Sequence, residues 1–190
     1  MFRTKLFQTS LPDILVTFSI MAATRKPKLI IFDVDYTLWP FWADTHVVSP
    51  FRKEKVGTVL DGRNRKVKYY SDSPVILQTL SSEGYELAVA SRSDTPDRVR
   101  SILKLLDWEK CFSYTQIYPG TLYIGIFTSN LYFDRLKKQS GTNFNDMLFF
   151  DDEPRNISDT SELGVHAVLV ERGINWKVVN DALDQFAAKR

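Results

Sequence analysis

The sequence predicts an α/β fold, a parallel sheet flanked by helices, from two observations. First, three short apolar runs each end in polar or charged residues: Leu29–Phe32 before Asp33, Glu86–Ala90 before Ser91 and Arg92, and Met147–Phe150 before Asp151 and Asp152. Such runs, β-branched in part and bounded by breakers such as Pro27, read as buried strands rather than helix segments. Second, stretches of helical spacing separate these runs, and strands alternating with helices argue for a parallel sheet with right-handed crossovers. Open sheets of this kind hold their ligands at the carboxyl ends of the strands, where the polar residues fall.

Taken in order, Leu29-Ile30-Ile31-Phe32 is the first strand, and the chain turns at Asp33-Val34-Asp35-Tyr36-Thr37. Trp39 to His46 is aromatic and irregular; two of Trp39, Phe41 and Trp42 are expected in the core, with an aromatic wall beside the site as the alternative use. Thr58–Leu60 and Val67–Tyr70 flank Asp61-Gly62-Arg63-Asn64-Arg65, a hairpin signal. Ser73 and Pro74 open a helix to about Glu83, with Ser73 as its cap and Gly84 as its stop. After the strand Leu87–Ala90, a helix starts at Asp94-Thr95-Pro96 and runs to about Leu106, with Val99, Ile102, Leu103 and Leu106 on one face. Phe112–Ile117 is a further strand. A helix over Leu131–Lys138 follows the apolar segment Thr121–Asn130. Beyond Met147–Phe150 come a helix over about Pro154–Leu163 ending at Gly164, a strand over Val165–Val170 and a closing helix over Asn175–Ala188.

A chain of 190 residues suits one domain with a proper core. Its 44% hydrophobic and 25% charged content is that of a globular protein, and a net charge of +2 offers no footprint for nucleic acid or an anionic membrane. The single cysteine, Cys111, has no internal disulfide partner, which points to a reducing, cytoplasmic compartment. Cysteine-based phosphatases need an arginine six positions along, where Ile117 stands, so Cys111 reads as a small core residue or a surface thiol. Residues 1–25 read as a leader, disordered or targeting. Secretory and mitochondrial signals are both weakened by Asp13, and Met21 offers an alternative start that makes the leader dispensable.

An Asp-x-Asp pair alone is common in turns and caps. Here it recurs with a second acidic pair and a serine at the ends of other strands, and like charges gathered at one sheet edge imply a cation between them. One aspartate can serve as a nucleophile while the other handles a proton.

The signature Asp33-x-Asp35-x-Thr37, the strand end at Ser91 and the pair Asp151-Asp152 resemble the haloacid dehalogenase superfamily of aspartate-nucleophile phosphatases. The longer stretch Phe32–Trp42 with Asp44-Thr45-His46 resembles its magnesium-dependent phosphatase-1 family, as do Ala90-Ser91-Arg92, Ile117-Tyr118-Pro119-Gly120 and Phe149–Glu153 with Arg155-Asn156. The resemblance implies a Rossmann-like sheet with a small flap hairpin, at about 40–70, and no large cap domain, all within 26–190. It implies a phosphoric monoester hydrolase using Mg²⁺, with Asp33 as nucleophile and Asp35 as acid and base. Ser91, Arg92 and Thr37 would meet phosphate. The metal ligands would be Asp33, Asp35 through its carbonyl, and Asp152 or Asp151; Asp152 is preferred because Asp152-x-x-x-Asn156 matches the superfamily's acidic motif. Substrates would be phosphorylated small molecules or phosphoproteins: phosphotyrosine, or sugar phosphates such as fructosamine-6-phosphate. A monomer is expected, with neither nucleic acid nor membrane as partner.

The chain departs from the family once. There a lysine follows Pro-Gly almost at once; here about seven extra residues intervene, at about 121–129, and no lysine lies between Gly120 and Lys137. Leu122 or Ser129 takes its place, depending on the alignment, and Lys137 or Lys138 is the nearest substitute. The alternative reading is therefore a catalytically weakened variant or a binding protein of the same fold.

Overall fold

The structure, a computed structural model, describes residues 24–119 and 128–189, with the backbone alone at 128–130. The leader, apart from Thr24 and Arg25, and positions 121–127 of the insertion lie outside the described residues. Arg25, read as part of the leader, is docked on the domain: it pairs with Asp146 at 3.2 Å and lies 4.6 Å over the Phe186 ring.

The elements are β1 (Leu29–Phe32), β2 (Arg52–Lys53), β3 (Val59–Leu60), α1 (Ser73–Ser82), β4 (Glu86–Arg92), α2 (Pro96–Leu105), β5 (Tyr114–Tyr118), α3 (Thr128–Ser140), β6 (Met147–Asp151), α4 (Pro154–Glu162), β7 (His166–Leu169) and α5 (Trp176–Ala188). Five strands form one parallel sheet in the order β5-β4-β1-β6-β7, so β1 lies at its centre. This is the α/β architecture expected from the alternation of runs, with no large cap domain among the described residues.

The continuous apolar character of β1 has a direct cause: all four residues are fully buried, because helices cover both faces. The period-two pleat then sorts the core. Ile30 and Phe32 join Leu87, Val89, Leu148 and Phe150 on the face covered by α1, α2 and α5. Leu29, Ile31, Ala88, Met147 and Phe149 join Tyr132, Phe133 and Leu136 of α3 on the other. Each such side chain taken from water contributes about 1.5–3 kcal/mol before entropic costs.

One local expectation changes, and the expected hairpin gains a strand. Ser73 does not cap α1; Asp72 holds that position, and the buried Ser73 hydroxyl donates to the Leu38 carbonyl at 2.8 Å. The hydroxyl thus ties α1 to the loop after β1. In the hairpin region, β3 pairs antiparallel with β2, and the Val67 N–H donates to the Val59 carbonyl at 2.9 Å on the other side. The buried Asp61 carboxylate organises the turn between them, accepting from the Arg63 and Arg65 N–H groups at 2.9 Å and from the Arg65 guanidinium at 2.7 Å. Cys111 is half-buried against the core, and burial pushes its thiol up, as befits an inert packing residue.

Candidate active site

β1 and β6 leave the sheet in register. Phe32 pairs with both Val89 and Phe150, and the Asp33 N–H donates to the Phe150 carbonyl at 2.9 Å. Asp33 and Asp151 therefore emerge on neighbouring strands, both buried, and both line one cavity with Ser91, Arg92, Tyr132 and Asn156. Burial, followed by the charges of Asp151, Asp35 and Asp152, holds the Asp33 carboxyl well above its ordinary value.

After Asp33 the chain reverses. Tyr36 adopts a left-handed φ of 54°, and the N–H groups of Thr37, Leu38 and Trp39 converge on the Val34 carbonyl at 3.3, 2.8 and 3.3 Å. The turn carries Asp35 out of the strand. Its carboxylate is held on both oxygens, by the Trp39 indole N–H at 2.6 Å and the Ala43 N–H at 3.1 Å. Burial still outweighs these lowering contacts and pushes Asp35 up to about 6.

Asp151 accepts from the Glu153 N–H at 2.7 Å, and Asn156 Nδ2 reaches both of its oxygens, at 3.1 and 2.9 Å. Burial raises it to about 6 against these bonds. Asp152 is half-buried and also raised, chiefly by burial. Asn156, matched to Asp152 by spacing, thus serves Asp151. Ser91 is buried, and its Oγ has no hydrogen-bond partner among the described residues. Arg92 ends β4, exposed at the mouth of the cavity, where its charge draws Asp151 down.

Thr37 is fully buried in the turn and does not line this cavity, and its Oγ1 has no hydrogen-bond partner among the described residues. Lys137 lies 4.4 Å from the Phe144 ring, before the first residue of β6, at the opposite end of the strand from Asp151. Lys138 is exposed near it on the last turn of α3. Of the aromatic trio, Trp39 and Phe41 are in the core and Trp42 is 52% exposed, against Tyr36 and stacked on His46.

Sequence reasoning missed Tyr132 and Trp39 as parts of the site. Tyr132 lines the cavity and donates to the Tyr118 carbonyl at 3.2 Å, and burial pushes its phenol up to about 12. Trp39 reads as core from its sequence context; only its reach to Asp35, four residues back, marks its second task.

A parallel sheet with Asp33 and Asp35 at the end of its central strand, an acidic pair on the next strand and a serine on the other side define a haloacid dehalogenase-type hydrolase. Residues 25–189 match the family described as Acid Phosphatase. The human protein named Magnesium-dependent phosphatase 1 is 42% identical over 163 residues, covering 86% of this chain and 89% of its own. A HAD-like hydrolase superfamily protein of Schizosaccharomyces pombe is 35% identical over 150 residues, covering 73% of this chain and 83% of its own. Among solved structures, a HAD-superfamily hydrolase from Ehrlichia chaffeensis superposes with a TM-score of 0.59 at 12% identity, covering 85% of this chain and 98% of that one. The N-terminal part of BF1531 from Bacteroides fragilis, containing a phosphatase domain complexed with Mg, gives 0.53 at 13% identity, over 77% of this chain and 36% of that one. At such identities these two show the fold. The chain belongs to the acid phosphatase family, within the haloacid dehalogenase superfamily.

Proposed function

We propose that the chain is a Mg²⁺-dependent phosphatase that hydrolyses phosphate monoesters through an aspartyl-phosphate on Asp33. The observation that carries this reading is a buried Asp33 surrounded by the charges of Asp35, Asp151 and Asp152, in a family whose human relative is named for magnesium-dependent phosphatase activity.

The donor set suits Mg²⁺. Hard oxygens crowd together; burial and then their mutual repulsion raise Asp33, and a divalent cation relieves that repulsion. Among the described residues no three His, Cys, Asp or Glu side chains form a ready-made metal site. Mg²⁺ needs none, because it is held by one or two carboxylates and keeps several waters. Asp33, the Asp35 carbonyl and Asp152 would hold it, leaving Asp151 to face the cavity. When bound it supplies positive charge to Asp33 and to the phosphoryl oxygens.

In the first step an Asp33 oxygen bonds to phosphorus, the ester P–O bond breaks, and Asp35 gives its proton to the leaving oxygen. In the second, Asp35, now ionised, takes a proton from a water whose oxygen attacks phosphorus. The bond from Asp33 to phosphorus breaks and inorganic phosphate leaves. The raised Asp35 carboxyl suits a group that must hold a proton and then accept one. Ser91 Oγ–H and the Arg92 guanidinium donate to phosphoryl oxygens. With no large cap domain among the described residues, we extend the substrates to phosphotyrosine in proteins and to sugar phosphates such as fructosamine-6-phosphate, acted on by a cytoplasmic monomer. Among the described residues no helix is long and apolar enough to cross a membrane.

A second reading, a weakened enzyme or binding protein, is favoured by the missing lysine and by the position of Lys137. Phosphate release from p-nitrophenyl phosphate, with and without Mg²⁺, separates the two. The phosphatase reading expects Mg²⁺-dependent turnover that falls on the order of a thousandfold or more in Asp33→Asn. A folded, Mg²⁺-binding protein that releases no phosphate selects the second.

A further inference from the structure

Between α3, α4 and the ends of β1, β4 and β6 lies a cavity of about 20 Å³, room for one water-sized particle. Its polar lining is rich in acceptors. Asp33 and Asp151 contribute carboxylates, and Ser91 contributes an Oγ that is buried and unpartnered among the described residues. Asn156 turns its Nδ2 to Asp151, leaving a buried Oδ1 that is also unpartnered. Tyr132 is a neutral phenol with its proton on the Tyr118 carbonyl, and Arg92 is exposed at the mouth.

Among the described residues Arg92 is the one cationic side chain that lines this cavity, and it is exposed. Residues 120–130, which join β5 to the body of α3, contain no charged side chain. Lys137 and Lys138 are at the far end of α3. Two neighbouring buried carboxylates faced by a single exposed guanidinium are costly, and the acceptors around them match an ion that brings donors or a bare positive charge. The size of the cavity selects among ions. Mg²⁺ gives up its waters reluctantly and cannot bring them into a space for one particle. A potassium ion exchanges its hydration shell for protein oxygens more readily, and an ammonium ion brings only donors.

We propose that this cavity is a monovalent-cation site, taking one potassium or ammonium ion between Asp33, Asp151, Ser91 and Asn156. Its catalytic role rests on the phosphatase reading. The ion would supply the positive charge that the family resemblance assigns to a lysine, and would offset charge at the nucleophile as phosphoryl transfer proceeds.

Two measurements on the full chain, with Mg²⁺ saturating and ionic strength constant, test it. Crystals soaked in thallium(I), a potassium surrogate, are expected to show an anomalous peak in the cavity. Turnover of p-nitrophenyl phosphate is expected to rise on the order of a hundredfold when tetramethylammonium, too large to enter, is exchanged for potassium or ammonium. A water alone in the cavity, together with equal turnover in all three salts, overturns the proposal and leaves the phosphatase reading intact. A thallium peak in a protein that releases no phosphate in any salt upholds the site and overturns the phosphatase reading.

Discussion

Trp39 shows how one residue joins the core to the candidate site. Its ring is fully buried, stacked between Phe41 at 5.4 Å and Trp108 at 6.4 Å, while its indole N–H holds Asp35 at 2.6 Å. Trp39→Phe keeps much of the packing and removes the donor. Hydrogen bonds to charged groups contribute about 1.5–3 kcal/mol, so kcat is expected to fall roughly ten- to hundredfold with KM little changed. Steady-state kinetics with p-nitrophenyl phosphate check the split; a rise in KM alone is the pattern of a binding defect and refutes a positioning role for Trp39.

At the scale of elements, the site depends on loops that lock to one another. The Val170 N–H donates to the Asp151 carbonyl at 2.9 Å, and the Ile174 N–H to the Thr37 carbonyl at 2.9 Å, so the segment after β7 braces both acidic loops. Gly173 makes this possible. Its φ is +80°, and a Cβ there would overlap the Tyr70 ring. Gly173→Ala combines left-handed strain with a steric clash and is expected to cost about 1–3 kcal/mol, read as a lower urea midpoint at unchanged m-value. From the other side, Arg98 of α2 donates to the carbonyls of Asp44 at 2.8 Å and Val47 at 3.1 Å, holding the start of the flap region.

For the whole molecule, stability is expected to answer both to metal and to pH. Mg²⁺ that binds only the folded chain adds about 2.7 kcal/mol at a hundredfold excess over its Kd, and about 2–4 °C of Tm accompanies each kcal/mol in a domain of this size. A thermal melt should therefore rise by roughly 5–10 °C in Mg²⁺, and by much less in Asp33→Asn. His166 lies at the opposite end of the sheet, buried, with both ring nitrogens unpartnered among the described residues and the ring edge-on to Phe186. Burial, then the charges of Lys189 and Arg25, lower its pKa below 6.5. The unfolded chain thus takes up this proton first as pH falls. The stability that comes from keeping His166 neutral is present above about pH 6.5 and is lost below it. The raised buried aspartates act in the opposite sense, but equally in wild type and His166→Gln. Urea melts of the two proteins between pH 7 and 5 should show a shallower loss in the variant, and parallel curves refute the assignment.

The central strand and the acidic residues at its end were legible in the residues. Leu29–Phe32 is apolar throughout because helices bury both faces, and the charge that follows can only lie where the sheet ends. Asp33, Asp35, Ser91, Asp151 and Asp152 share that property, so position along the chain implied position in space. Tertiary structure decided what each one touches. Asn156 serves Asp151 rather than Asp152, Ser73 spends its hydroxyl on Leu38, Thr37 turns inward, and Lys137 lies at the wrong end of its helix. Burial patterns are local and periodic, and can be read one element at a time. A hydrogen bond or a cavity forms where elements distant in sequence meet, and its geometry exists only once they have packed.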